Sequence, residues 1–315
     1  IQFLEERQDE RPLFLTAGFY GPHCPYVAPK ELYDYYYENL PPVEAISEEF
    51  RRTVHPAIQK WYANRSIPYV SEEQIRRVRA AYYGMVEFLD SLMGRIIDTV
   101  DKVLGLENTI LVYGSDHGDV IGVNGLFWKT NFYEGSARVP LVFSCPGEIP
   151  ENVTISDQVS LMDIGPTFID FAGGPELPKT HGENLASVIR GKAKTDPQRI
   201  IISQLGDVKG DNPSAMIRKG MWKLVKHSGY DEPQLFNLAD DPGESNDLGS
   251  DPAHSSKRRE LLDDLSRYWD EDEVARIYEE NLAHDKIYRQ WVQQTKVQGI
   301  EEWYSDKEKN YLLEP

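Results

Sequence analysis

Cysteine is nearly missing: Cys24 and Cys145 are the two in 315 residues. Two are too few for a disulfide framework, and they leave the redox setting undecided. No apolar run approaches the roughly 20 residues that a bilayer-crossing helix needs, and no charged-then-apolar leader opens the chain, so no membrane span is expected. Positive charge is also scarce, with 34 Lys and Arg against 52 Asp and Glu, a formal net charge of −18. That balance argues against nucleic acid as a partner, because phosphate binding requires clustered cations. An acidic surface for solubility is the simpler reading than a funnel for a cationic substrate. The first residue is Ile1 rather than Met, inside the charged stretch IQFLEERQDER. An excised, processed or truncated product is therefore expected, and the compartment stays open between periplasmic or secreted and cytoplasmic.

What is present is ordinary for a globular protein: 40% hydrophobic and 27% charged residues, enough to bury one large domain or one plus a small one. The chain is organised around residues 108–140, NTILVYGSDHGDVIGVNGLFWKTNFYEGSARVP. Its short apolar run, Ile110 to Tyr113, stops at Gly114-Ser115-Asp116-His117-Gly118. Such a run predicts a strand buried on both faces of a parallel sheet, with the polar residues at its carboxyl end, where open α/β sheets bind ligands.

A second buried strand is expected over residues 12–19, PLFLTAGF, emptying into a proline-bearing loop that carries His23 and Cys24. Residues 29–70 are rich in Tyr and Pro and show no clean period; Tyr33, Tyr35, Tyr36 and Tyr37 either line a substrate pocket or, the simpler reading, anchor a long surface excursion. Ser71-Glu72-Glu73-Gln74 is a capping box, and apolar residues from Ile75 to Leu104 recur at helical spacing. Strand, loop, long helix and the Ile110 strand then make an α/β crossover. Further on, residues 139–144 read as a strand and 161–171 as a helix stopped by Gly173-Gly174. From about Arg199, short alternating runs predict a small antiparallel sheet. Residues 255–269 read as a charged helix, followed by a helical or irregular tail with Trp291, Trp303, Tyr304 and Tyr311. The expected organisation is a main α/β domain with a parallel-rich central sheet over 1–195, an antiparallel-sheet subdomain over 196–270 and a tail over 271–315.

The chemistry-bearing residues fall at strand ends. Asp116 supplies a hard oxygen ligand suited to Ca²⁺, Mg²⁺ or Mn²⁺, and His117 adds an imidazole or a hydrogen bond to an anion. Gly118, Gly122 and Gly125 permit close backbone approach. Lys129 offers a mobile cation for sulfate or phosphate oxygens. His23, just past the first expected strand, shares that address, although a loop histidine between prolines more often packs locally. Cys24 beside it reads as an inert thiol.

The stretch SDHGDVIGVNGLFWKTNFYEGSARVPLVF resembles the carboxyl-proximal motif of the type I sulfatases of the alkaline phosphatase superfamily. PLFLTAGFYGPHCPYVAPKELYDYY resembles the family's substrate-histidine loop, DQVSLMDIGPTFIDFAGG the helix that follows, and PQLFNLADDPGESNDL the closing strand motif. These run in family order over most of residues 10–250, nearest in character to choline-sulfatase-like or aryl/iduronate-type members. The resemblance implies that Asp116 and His117 are metal ligands, Ca²⁺ foremost. It implies that Lys129 contacts the sulfate and leaving oxygen, and that His23 bonds the ester and protonates the departing alcohol. Arg138, in Arg-Val-Pro, is expected to be structural and ion-paired near the site. Where the family often carries an acidic residue and His before Gly125, Val123-Asn124 stand here.

The resemblance also exposes an absence. Sulfatases use a formylglycine made from a Cys/Ser-x-Pro-x-Arg motif and a further Asp pair near the amino terminus. Cys24-Pro25-Tyr26 and Cys145-Pro146-Gly147 do not complete that motif. The expectation is a carboxyl-terminal portion of a sulfatase acting on a small-molecule sulfate ester and inactive alone. Its formylglycine lies in an amino-terminal portion that acts as its partner, and the aromatic tail is available for homo-oligomer formation. Two other readings stay open: a phosphonate monoester or phosphodiester hydrolase of the same superfamily, and a non-catalytic binding or assembly module.

Overall fold

The structure, a computed structural model, describes residues 1–67, 69–206 and 212–295. Trp303, Tyr304 and Tyr311 lie outside the described residues. Residues Ile1–Trp269 form one compact unit, and a second begins at Asp270.

The first half of the larger unit is helical: α1 (Gln2–Glu5), α2 (Lys30–Asn39), α3 (Glu48–Thr53), α4 (Pro56–Asn64) and α5 (Glu72–Leu104). The capping box forms as expected. The Gln74 amide donates to Ser71 Oγ at 3.3 Å, and Ser71 N–H donates to Gln74 Oε1 at 2.9 Å. α5 ends at Gly105, where φ is +78°. Helix α2 packs along α5.

The segment expected to be a surface excursion is instead three short helices. Ser47 caps α3, and His55 Nδ1 caps α4 ahead of Pro56. Ile58, Trp61 and Tyr62 of α4 enter a core with Val120, Leu126, Phe127 and Phe236. Helices of 6 and 9 residues complete too few turns for a 3.6-residue period to show in sequence.

Strand β1 (Leu111–Gly114) is followed by α6 (Glu134–Ala137) and β2 (Leu141–Ser144). β1 pairs with β2 antiparallel, Leu111 opposite Ser144 and Gly114 opposite Leu141. Residues 12–19 form no strand, and Phe14 and Leu15 are 76% and 50% exposed. The mixed α/β class holds, but among the described residues both sheets are antiparallel, so the crossover onto a parallel neighbour is not formed there. An apolar run records that a segment favours burial on both faces; it does not supply the neighbours that would bury it.

After α7 (Ile164–Phe171) and α8 (Ala186–Ile189) come β3 (Ile200–Leu205), β4 (Ser214–Lys219), β5 (Trp222–His227) and β6 (Gln234–Asn237), antiparallel in the order β3-β4-β5-β6. This is the small sheet that the alternating runs predict. Helix α9 (Ser255–Leu265) lies on β4 and β5 and buries Leu261 and Leu265. Helix α10 (Glu271–Thr295) belongs to the second unit and has no buried residue. No described helix is long and apolar enough to cross a membrane.

One buried ion pair ties the entrance of α7 to that of β3. Asp163, fully buried, accepts from both terminal nitrogens of Arg199 at 2.7 Å and from the amides of Ser160 and Glu183 at 2.8 Å. Burial pushes the Asp163 carboxyl up, but the Arg199 guanidinium and the two amides outweigh it and hold its pKa below the ordinary value. With the folded pKa depressed, the contribution is complete above the unfolded pKa and is lost as pH falls below about 4. Asp163→Ala is expected to destabilise the fold by about 3–5 kcal/mol in urea unfolding at pH 7, because it removes the buried carboxylate from both terminal nitrogens of Arg199 and leaves that guanidinium only the exposed Glu183. The deficit relative to the parent should shrink as pH is lowered below about 4, and a deficit independent of pH would contradict the assignment.

Candidate functional site

Three nitrogens from two distant segments meet beyond the end of β1. Lys129 Nζ lies 2.8 Å from His23 Nε2 and 2.9 Å from His117 Nε2, and the two imidazole centroids are 6.0 Å apart. The far nitrogen of each ring fixes its tautomer. His23 Nδ1 donates to the Cys24 carbonyl at 2.8 Å, and His117 Nδ1 to the Gly118 carbonyl at 2.9 Å. A carbonyl can only accept, so each neutral imidazole carries its proton on Nδ1 and presents a lone pair at Nε2. The Lys129 ammonium donates to both.

The backbone around Lys129 is held in an uncommon shape. Trp128 and Thr130, its two neighbours, have φ of +64° and +66°, left-handed values that disfavour side-chain-bearing and especially β-branched residues. Each is fastened from outside. The Trp128 N–H donates to Asp119 Oδ1 at 2.9 Å. Thr130 receives Trp61 Nε1–H on its carbonyl at 3.1 Å and Arg65 on Oγ1 at 2.7 Å, with the Arg65 guanidinium 4.3 Å over the Trp61 ring. Glycine is needed at two places beneath this turn. A Cβ on Gly118 would stand 2.1 Å from the Gly135 carbonyl, and Gly125 has φ of +67° with Ile46 against it.

A buried charge network fixes the other end of the motif. Lys223 on β5, fully buried, reaches Glu134 Oε1 at 2.9 Å and Glu244 Oε1 at 2.6 Å, and Arg218 reaches Glu134 at 3.3 Å. The Glu134 amide donates to Glu244 Oε2 at 2.6 Å. Burial pushes Glu134 up, but the charges of Lys223, Arg218 and Arg138 prevail and hold it low; at Glu244 burial prevails and the carboxyl is raised. The network joins α6 to the small sheet.

His23, His117 and Lys129 are thus brought together. Asp116 stands beside them, 85% exposed, with Oδ2 3.4 Å from His117 Nε2. Its Oδ1 accepts the His117 amide at 3.0 Å. One carboxylate and one imidazole fit two corners of a cation site, but a hard cation takes about six oxygens or more. Among the described residues no group of three His, Cys, Asp or Glu side chains could hold a metal, so this pair is at most part of one. Arg138 departs from expectation. It is exposed, makes no ion pair among the described residues, donates its backbone amide to the Glu134 carbonyl at 3.0 Å and acts on the Glu134 carboxyl at longer range through its charge. Sequence reasoning missed Asp119, Tyr26, Trp61 and Arg65. Tyr26 donates to Asp119 Oδ2 at 2.8 Å; burial, then that bond, raises its pKa. These partners lie up to 93 residues apart, and no local pattern marks them.

A family model described as Sulfatase matches residues 1–174, and one described as N-sulphoglucosamine sulphohydrolase, C-terminal, matches residues 122–271. The chain is 34% identical over 305 residues to a choline-sulfatase of Rhizobium meliloti (strain 1021), covering 92% of this chain and 57% of that protein. It is 30% identical over 277 residues to arylsulfatase K of Rattus norvegicus, covering 80% and 48%. The phosphonate monoester hydrolase of Agrobacterium radiobacter has a similar fold, with a TM-score of 0.72 at 24% identity over 84% of this chain and 57% of that one. The chain spans about half the length of the curated relatives it matches.

Lys223→Met is expected to cost about 3–5 kcal/mol, because it leaves the buried Glu244 without a cation beside Glu134, which keeps only Arg218. Urea unfolding at pH 7 measures this, and a loss below about 1 kcal/mol would contradict the role given to the network.

Proposed function

The chain belongs to the sulfatase family, and on that premise we propose that it is the carboxyl-proximal portion of a sulfuric ester hydrolase, bearing the substrate-side wall of the active site. The observation that carries this reading is the Lys129 ammonium held between His23 and His117. An ammonium whose acceptors are neutral nitrogens exchanges them favourably for anionic sulfuryl oxygens, since charge-assisted bonds are the stronger. With Nδ1–H tied to the Cys24 carbonyl, a second proton on His23 goes to Nε2. His23 is then an acid aimed at the ester's leaving oxygen.

Once Lys129 exchanges His117 Nε2 for a sulfuryl oxygen, that lone pair and Asp116 would contribute two ligands to a divalent metal, Ca²⁺ by the hardness of the carboxylate, which when bound would supply charge stabilisation beside the ester. The remaining ligands and the formylglycine nucleophile are assigned to an upstream portion of the same protein. Exposed Phe14, Leu15 and Phe19, together with the half-exposed β1–β2 pair, support a covering layer of that kind.

In the protein carrying that upstream portion, aryl sulfate hydrolysis is expected, and Lys129→Ala should lower kcat/KM by about 10²–10³-fold. The 315-residue chain alone should bind Ca²⁺ weakly and hydrolyse nothing. Robust aryl sulfate hydrolysis by the chain alone, with mass spectrometry excluding a co-purified partner, would overturn the division of the site. Because the same N–H groups can donate to phosphoryl oxygens, preference of the intact protein for a phosphonate monoester would transfer it to the phosphonate hydrolase reading.

A further inference from the structure

Asp116 and Asp119 stand three residues apart and face different tasks. Asp116 is exposed and its one hydrogen bond among the described residues is from the amide of its neighbour His117, with Oδ2 3.4 Å from Nε2 of that ring. Asp119 is half-buried and spends both oxygens on structure: Oδ2 accepts the Tyr26 hydroxyl at 2.8 Å and Oδ1 the Trp128 amide at 2.9 Å. Tyr26 follows His23 by three residues, and Trp128 immediately precedes Lys129. The Tyr26 ring also rests edge-on against Tyr82 of α5, with centroids 6.2 Å apart. The next residue, Val120, donates its amide to the Trp128 carbonyl at 2.9 Å, so the left-handed Trp128 is held at both its N–H and its C=O.

We infer that Asp119 is a positioning residue of the anion site: one carboxylate that fastens the His23 loop and the Lys129 turn to each other and so sets the spacing of the three nitrogens. Among the described residues no other carboxylate accepts from both segments. Without it, the His23 loop keeps Tyr26 only through its ring, and Trp128 loses the bond that holds its amide in the left-handed region. Only the effect on turnover rests on the sulfatase reading; the effect on spacing does not.

Asparagine discriminates shape from charge here. Its amide oxygen can accept the Trp128 N–H, and its amide nitrogen can donate to the Tyr26 oxygen, so Asp119→Asn preserves both links while removing the charge. Asp119→Ala removes both links. The readout is imidazole-selective NMR of the 315-residue chain at a single pH, following the cross-peak between the His23 and His117 rings and the Nε2 shifts that report the Lys129 bonds. Circular dichroism verifies that each variant is folded. The expected result is loss of the cross-peak in Asp119→Ala and its retention in Asp119→Asn. Tyr26→Phe, which removes one hydroxyl and leaves the ring on Tyr82, should shift His23 alone and keep the His117–Lys129 signals. In the intact protein Asp119→Ala should lower kcat about 100-fold with little change in KM, as expected when reacting groups are misplaced by about 1 Å. A folded Asp119→Ala chain with unchanged ring signals would overturn the inference, and so would Asp119→Asn behaving like Asp119→Ala. Should the intact protein hydrolyse no sulfate ester, the functional reading falls while the NMR result still decides this one.

Discussion

An ammonium can donate to two imidazoles at once only if both rings carry their own proton on the far nitrogen. In this chain that condition is met by two backbone carbonyls, of Cys24 and Gly118, each one residue along from the ring it orients. The local turns therefore decide the chemistry. They fix the tautomers, the tautomers leave two lone pairs facing each other, and Lys129 fills the space between. The rest of the larger unit can be read as what is needed to keep these three side chains from separating.

Keeping Lys129 there costs backbone energy. Two non-glycine residues in the left-handed region, one on each side of Lys129, cost about 1–3 kcal/mol each. That cost is offset by bonds from elements far away in sequence: Asp119 on one side, Trp61 and Arg65 of the α4 region on the other. The core formed by Ile58, Trp61, Tyr62, Val120, Leu126 and Phe127 lies under these turns, so hydrophobic burial and site geometry are the same packing event. At the carboxyl end of the motif, Lys223 binds Glu134 and Glu244 and anchors α6 to β5, so the small sheet acts as a brace for the motif.

Much of this was legible from sequence where a local rule carries it. The Ser71 capping box and its trailing period located α5, and the short alternating runs after Arg199 located the four-stranded sheet. His23 and Lys129 stood out by their places near strand or loop ends, and family resemblance paired them across 106 residues. The failures share a physical cause. Residues 12–19 and β1 have the composition of strands buried on both faces, but burial depends on neighbours that a local pattern does not contain. Helices α3 and α4 are too short for periodicity, so Trp61 and Arg65 went unread. Asp119 went unread beside Asp116, because which carboxylate turns inward is decided by tertiary contacts.

The central claim is that this chain presents a preformed nitrogen cradle for a tetrahedral anion. A crystal structure of the 315-residue chain grown with tungstate, a heavy sulfate analogue visible by anomalous scattering, tests it most directly. The account predicts the anion within hydrogen-bonding distance of Lys129 Nζ and of His23 Nε2 carrying its second proton, with both Nδ1 atoms still on their carbonyls. An anion bound elsewhere, with Lys129 still bridging the two imidazoles at the same tungstate concentration, would contradict it.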